Sequence, residues 1–270
     1  MKIQDIEISN PDKLIFANKG ITKLEMVRYY EKIADKMLPY LENRPLTLQR
    51  FPDGIEDGGF FQKNAADYFP DFIETVSIET ENGSNLQVVC NNKKTLIYLA
   101  NQGTVTFHIW LATQDNLNKP DKVVFDLDPP ENSFEKVKTA AGKIRDLLIN
   151  EGKEPRLMTS GKKGLHVWYP VDRYKNFDDR REEVKELAEK MKEKHPNILT
   201  TATRKEKRNH KIFVDYLRNA YGQTTVCPYS LRPINSAGVA TPLEWNELSK
   251  IKKGDHYTQE NIFRRLGQKY

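Results

Sequence analysis

The sequence predicts an α+β fold, and three observations predict it. Runs rich in β-branched and aromatic residues, such as TVTFHIWLA (104–112) and KIFVDYL (211–217), alternate with the period of two that strands require. Between them lie stretches whose apolar residues recur at helical spacing, clearest at 22–42 and 134–150. No repeat, low-complexity tract or Gly/Ser-rich linker interrupts the chain. Residues 1–270 are therefore expected to form a single domain, with two tightly packed lobes as the furthest subdivision.

The first helix, 22–42, starts on the capping-box spacing of Thr22 and Glu25 and carries Leu24, Val27, Ala34, Leu38 and Leu41 at a helical period. RPLTLQRFPDGIEDGGFFQKN then reads as a strand followed by a loop, with Pro52 and three glycines before Phe60 and Phe61. Short strands are expected at 73–79, 86–90 and 95–99, and a longer one at 104–112. VVFDLDPP (123–130) is a strand stopped by Pro129 and Pro130. Ser133 is placed to cap a helix over 134–150, with Val137, Ala141, Ile144 and Leu148 on one face. PRLMTS is a strand leading into GKKGLHVWYP, and 178–194 is a charge-laced helix stopped by Pro196. KIFVDYL is a strand, and the remainder is loop with short helices near 242–250 and 258–266.

Charged residues make up 30% of the chain and hydrophobic ones 38%, a balance that suits a folded core and excludes a disordered tail. MKIQDIEISNPDK has no apolar signal segment, and no apolar run approaches the eighteen residues a membrane span needs, so a cytoplasmic protein is expected. Cys90 and Cys227 lack metal-site spacing and read as packing residues in a reducing compartment. A net charge of +5 fits a polyanionic partner, though many ordinary enzymes carry as much.

Three segments carry chemistry. Residues i and i+2 of a strand share a face, so Asp126 and Asp128 project together and their repulsion must be answered by a solvated turn or by a divalent cation. In KIFVDYL, Asp215 replaces an apolar residue of an alternating pattern and needs a partner. Arg218 is one candidate; the other is a metal cradle shared with Asp126 and Asp128. TSGKKGLH offers Ser160, Lys163 and His166 around two glycines that let backbone approach a phosphate, and alternatively reads as a Gly-Lys turn of a hairpin. The basic run TRKEKRNHK (203–211) is given no site.

VVFDLDPP, SGKKGLH and KIFVDYLRN followed by YGQTTVCPYSLRP resemble, in order and spacing, the polymerase domain of bacterial and archaeal ligase D. That family is a non-homologous end-joining polymerase of the archaeo-eukaryotic primase superfamily. ISNPDKLIFANKGITK, GFFQKN and TFHIW extend the resemblance over nearly the whole chain. It implies a primase-polymerase fold, with central mixed and antiparallel sheets and an RRM-like catalytic core flanked by helices. It implies template-directed nucleotidyl transfer that fills gaps or extends ends during DNA repair, with ribonucleotides favoured and two divalent ions, Mn²⁺ or Mg²⁺, as cofactors. By resemblance, Asp126, Asp128 and Asp215 are the metal-binding catalytic carboxylates, and His108 in TFHIW is a histidine needed for activity. Ser160, Lys163, His166 and Arg232 hold the triphosphate. Lys13 and Lys23, ordinary surface lysines when read alone, bind a downstream 5′-phosphate, and Phe60 and Phe61 stack near the templating base. The implied partners are DNA ends or gapped DNA, NTP or dNTP, Ku and a separate DNA ligase, with no membrane. Only the polymerase-like part lies between Met1 and Tyr270, so ligation by the same polypeptide is not expected.

Two other readings compete. FDLD also looks like the first motif of haloacid-dehalogenase-type phosphatases, with Asp178 and Asp179 as the later acidic pair. A DNA-end-binding module without catalysis would keep Lys13, Lys23 and the aromatics, but its three aspartates would only repel DNA.

Overall fold

The computed structural model describes residues 1–80, 83–129 and 133–267. Two small antiparallel hairpins open the chain, β1 (Lys2–Ile3) with β2 (Ile6–Glu7) and β3 (Leu14–Phe16) with β4 (Ile21–Thr22). Helix α1 (Lys23–Leu41) begins on a complete capping box: the Thr22 hydroxyl accepts from the Glu25 N–H, and the Glu25 carboxylate accepts from the Thr22 N–H. It buries Met26, Tyr30, Ile33 and Met37 against the sheet that follows.

Strand β5 (Leu46–Arg50) pairs with β6 (Phe60–Gln62), so Phe60 and Phe61 stand on an edge strand and not in the expected loop. The hairpin β7 (Thr75–Thr80) and β8 (Gly83–Val88) takes the place of the strands expected at 73–79 and 86–90. The third expected strand, 95–99, is instead part of helix α2 (Lys93–Asn101). A short apolar run does not by itself distinguish strand from helix. Here the Asn92 side chain accepts from the Thr95 N–H, and Leu96, Leu99 and Ala100 fall on one buried face.

The strand β9 (Thr104–Trp110) is followed by β10 (Lys122–Asp128), α3 (Phe134–Asn150), β11 (Arg156–Thr159) and β12 (Leu165–Pro170). Ser133 precedes α3 as expected but makes no side-chain cap bond, and Pro130, expected to end β10, lies outside the described residues. Helix α4 (Phe177–Lys194) is capped by Asn176, whose side chain accepts from the Asp179 N–H. The remaining strands are β13 (Leu199–Thr200), β14 (Ile212–Asp215), β15 (Thr224–Val226) and β16 (Thr241–Leu243). The expected strand 211–217 thus stops at Asp215, and Leu217–Asn219 forms a 3₁₀ turn. The expected helix 242–250 is a strand and then a 3₁₀ turn at Trp245–Lys250; that at 258–266 shortens to α5 (Ile262–Arg265).

Among the described residues, the order β13-β14-β10-β12-β11-β16 makes a six-stranded sheet, and β15-β9-β5-β6 a four-stranded one. Two large apolar clusters underlie them. One gathers α1, α2 and the four-stranded sheet; the other packs α3 and α4 on Val123, Phe125 and Leu127 of β10, with Leu165, Val167 and Val214 beside them. Alternation then turns Val124, Asp126 and Asp128 to the opposite face. Cys90 and Cys227 are buried and unbonded to each other. No helix among the described residues is long and apolar enough to cross a membrane.

Candidate active site

Strand register assembles the site. β10 lies antiparallel between β12 and β14, with Asp126 directly opposite His166 on one side and Asp215 on the other. Directly opposed residues share a face, so the three side chains form one row across three strands, with Asp128 two residues further along. The row opens on a cleft of about 170 Å³ between the two sheets, lined by His108, Asp126, Asp128, Ser160, Lys162, His166, Arg218, Thr224, Thr225 and Arg232.

Each carboxylate meets a different environment. Asp126 Oδ1 lies 3.3 Å from His166 Nε2, and its Oδ2 is 3.7 Å from Arg218 Nε. Burial works against its charge, but His166 and then Arg218 and Arg232 prevail and hold its carboxyl below the usual range. Asp128 and Asp215 are pushed up, first by burial; Asp126 adds its repulsion to both. Asp215 Oδ1 accepts from the Leu217 N–H at 2.9 Å, and its Oδ2 is 3.6 Å from Arg218 Nε. Among the described residues no group of three or more His, Cys, Asp or Glu side chains converges closely enough to hold an ion. Asp126 and Asp215 both face the Arg218 guanidinium instead.

The cationic wall is built from backbone. Ser160 closes a loop: its amide donates to the Gly164 carbonyl at 3.0 Å, and its hydroxyl accepts from the Gly164 and Lys162 amides. Gly161 has φ +71°, and a Cβ there would stand 2.6 Å from both Ala240 N and Arg232 Cγ. A Cβ at Gly164 would run into the Leu127 carbonyl, and one at Gly254 would stand 2.5 Å from the Lys163 carbonyl carbon. The loop is therefore clamped between β10 and the C-terminal segments. Burial of its guanidinium lowers the pKa of half-buried Arg232 to about 10 and leaves it charged at neutral pH. Among the described residues its Nε and the Nε2 of half-buried His108, both shielded from solvent, have no hydrogen-bond partner, an arrangement that favours a polar ligand in the cleft. Burial, with Arg232 adding to it, holds His108 well below the usual histidine range and so neutral.

The structure brings Asp126, Asp128, Asp215, His108, Ser160, His166 and Arg232 together and turns Lys163 elsewhere. Lys163 lines a neighbouring cleft of about 580 Å³ with Asp128, Lys205, Arg208 and Lys211, so the basic run 203–211 forms a wall beside the carboxylates. Lys162 takes the inward position. Doubled lysines in a Gly turn point to opposite sides, and only the turn geometry decides which one faces inward. Asn219 was also not foreseen: its side chain accepts from Val124 N–H and donates to the Val124 carbonyl, both at 2.8 Å, continuing the β10 ladder where β14 has ended.

Lys13 and Lys23 meet where the β3–β4 hairpin leads into α1. The Lys23 amide donates to the Lys13 carbonyl at 2.7 Å, Lys13 Nζ pairs with Asp53 at 2.8 Å, and Lys23 Nζ donates to Ser9 Oγ. Lys23 is not a surface lysine: it is 7% exposed, and burial, then Lys13 and Arg50, lower its pKa to about 8. Arg50, which the sequence did not single out, links this group to the aromatics, its guanidinium lying 5.5 Å from the Phe60 ring centroid. Phe60 and Phe61 are 49% and 60% exposed, and Phe61 meets the His108 ring edge-on at 5.7 Å.

This chain belongs to the LigD primase-polymerase domain family, whose model matches residues 22–270. It is 32% identical over 97% of its length to the bifunctional non-homologous end joining protein LigD of Bacillus subtilis, and 30% identical over 92% to the multifunctional LigD of Mycolicibacterium smegmatis. It spans 42% and 33% of those two proteins. The polymerase domain of Mycobacterium tuberculosis ligase D, solved in complex with DNA, has the same fold, with a TM-score of 0.90 and 26% identity over 98% of this chain and 95% of that one. The phosphatase alternative has no support here. β10 is antiparallel to both its neighbours, and Asp178 and Asp179 sit in the first turn of α4, away from the cleft lining.

Proposed function

We propose that this chain is a template-directed nucleotidyltransferase that fills gaps or extends ends in non-homologous end joining. The observation that carries this reading is the row His166–Asp126–Asp215, opening on a cleft that also receives Asp128, Ser160, Lys162 and Arg232. Family membership supports it.

The donor chemistry fits a divalent ion, since Asp126, Asp128 and Asp215 offer only carboxylate oxygens, the ligands hard cations prefer. With Arg218 facing two of them the three do not converge as they stand; drawn together they would hold two ions, Mn²⁺ or Mg²⁺, which would lower the pKa of a primer 3′-hydroxyl and offset charge on the in-line transition state. The chain's own residues do the rest. Lys162 and Arg232 offset charge on the triphosphate, and the Ser160 hydroxyl keeps its proton free to donate. The 3′-hydroxyl gives its proton to solvent and its oxygen bonds to the α-phosphorus as the bond from that phosphorus to the oxygen bridging the β-phosphate breaks, and pyrophosphate leaves toward Lys163 and the 203–211 wall. His166 holds Asp126 in its ionised form. His108, neutral and unpartnered at Nε2, orients whatever polar group enters beside it.

In this reading Lys13 and Lys23, with Arg50, bind the 5′-phosphate on the far side of a gap, and Phe60 and Phe61 stack near the templating base. Ribonucleotides are preferred, and Ku and a separate ligase complete the repair. The test is a gap-filling assay with and without the downstream 5′-phosphate, using Mn²⁺ or Mg²⁺ and either sugar, against Asp126→Ala. Template-matched extension that needs Asp126 and improves with the phosphate is expected. Tight phosphate-dependent DNA binding without any extension would reduce the chain to an end-binding module.

A further inference from the structure

Arg218 stands where the carboxylate row would otherwise be most repulsive. Its Nε is 3.7 Å from Asp126 and 3.6 Å from Asp215, on two strands whose aspartates oppose each other in register. Its backbone is fixed on both sides. The preceding Leu217 amide donates to Asp215, and the following Asn219 side chain is bonded both ways to Val124 of β10. The guanidinium is thus delivered to this spot by the fold and is not a surface side chain that has drifted there. Its hold is loose all the same. The side chain is 46% exposed, and both separations exceed the roughly 2.7–2.9 Å of a charge-assisted hydrogen bond. A guanidinium cannot discharge by losing its proton, so only displacement can free the two aspartates from it.

We propose that Arg218 is a built-in counter-cation that competes with the divalent ion for Asp126 and Asp215, so that metal entry requires the guanidinium to swing out. This rests on the reading of the three aspartates as metal ligands. Arg218 offsets the repulsion of the row until an ion arrives, and it keeps ion affinity low until a triphosphate adds its own negative charge. Coupling of this kind is reciprocal: what the arginine contributes to the carboxylates, the ion must outcompete.

The test is Mn²⁺ binding to the nucleotide-free protein, followed by the loss of the free-ion electron paramagnetic resonance signal, with no turnover involved. Arg218→Gln is expected to bind Mn²⁺ about five- to tenfold more tightly than wild type, whereas Arg218→Lys, which keeps the charge, stays near wild type. Both changes are at a half-exposed position, and matching thermal melts would show that neither disturbs the fold. Unchanged or weaker binding by Arg218→Gln, while Asp126→Ala and Asp215→Ala still abolish binding, overturns the inference alone. An equal gain in Arg218→Lys also overturns it, since charge would then not be what the ion displaces. Binding that ignores Asp126→Ala and Asp215→Ala overturns the metal assignment as well.

Discussion

In the carboxylate cleft, like charges are set side by side by strand register, whereas the Lys13–Lys23 group collects its cations from a turn, a helix start and a strand end. The cleft's aspartates belong to one hydrogen-bonded sheet, and their loop is clamped by backbone at Gly161, Gly164 and Gly254. No position there can shift without moving its neighbours. The two lysines are held by side-chain bonds to Ser9, Asp53 and the Pro52 carbonyl and by local backbone bonds to Lys13 and Asn10, so each cation can be removed nearly independently. The first arrangement suits a reaction that needs fixed distances; the second suits a charged contact that only adds affinity. Substitutions in the two regions should therefore fail in different ways.

The largest effect is expected from Asp215→Asn, which keeps the shape of the row and removes one charge. Extension should fall by roughly 10²–10³-fold, as for loss of one group in a preorganised electrostatic site, while binding to 5′-phosphorylated DNA is retained. An equal fall in both, measured by primer extension and by filter binding, would show that the two regions are not separable. Gly164→Ala should come next. Its methyl group would press on the Leu127 carbonyl and the Asp128 carboxylate, costing about 1–3 kcal/mol as overpacking, and both the melting temperature and the extension rate should drop. A melting curve unchanged from wild type would mean that the clamp is slack.

Lys23→Met should leave extension of a primer-template without a downstream strand intact and lose most of the advantage of a downstream phosphate, a charge-assisted contact of about 1.5–3 kcal/mol. The same advantage should fade in the wild type as pH rises through about 8, where Lys23 gives up its proton, and the Met variant should show no such fade. The sign for folding is opposite. The unfolded chain keeps that proton to about 10.5, so this residue adds stability as pH rises from about 8 to 10.5 and withholds it below 8. A phosphate preference flat across pH 7–9 would remove Lys23 from the contact. The smallest effect is expected for Phe61→Ala. Its ring is mostly exposed, so folding should be indifferent, and template binding should weaken by about 1 kcal/mol, the low end for a stacked base.

Much of the cleft was legible in the chain because period-two alternation has a direct geometric meaning. FDLD places Asp126 and Asp128 on one face whatever surrounds them, and Asp215 is visible as an acid in an apolar pattern. The capping box at Thr22 and the helical faces of α1 and α3 were readable for the same reason, since local chemistry decides them. TLIYL was not, because a short run of four hydrophobic residues after Thr95 satisfies both periods and only the Asn92 cap and the packing of Leu96 and Leu99 chose the helix. Nor could spacing tell which lysine of Lys162 and Lys163 faces the carboxylate cleft, or that Lys23 would be buried.

What the sequence determined by itself was the list of chemical groups and the faces they share within each strand or helix, because those follow from backbone periodicity alone. What the tertiary structure decided was which faces meet. That Asp126 lies opposite both His166 and Asp215, that Arg218 is carried to the two aspartates by the Asn219 bond to β10, and that Arg50 joins Lys23 to Phe60 all depend on strand order and register. Register is set by long-range pairing of segments tens of residues apart, and no local pattern encodes it.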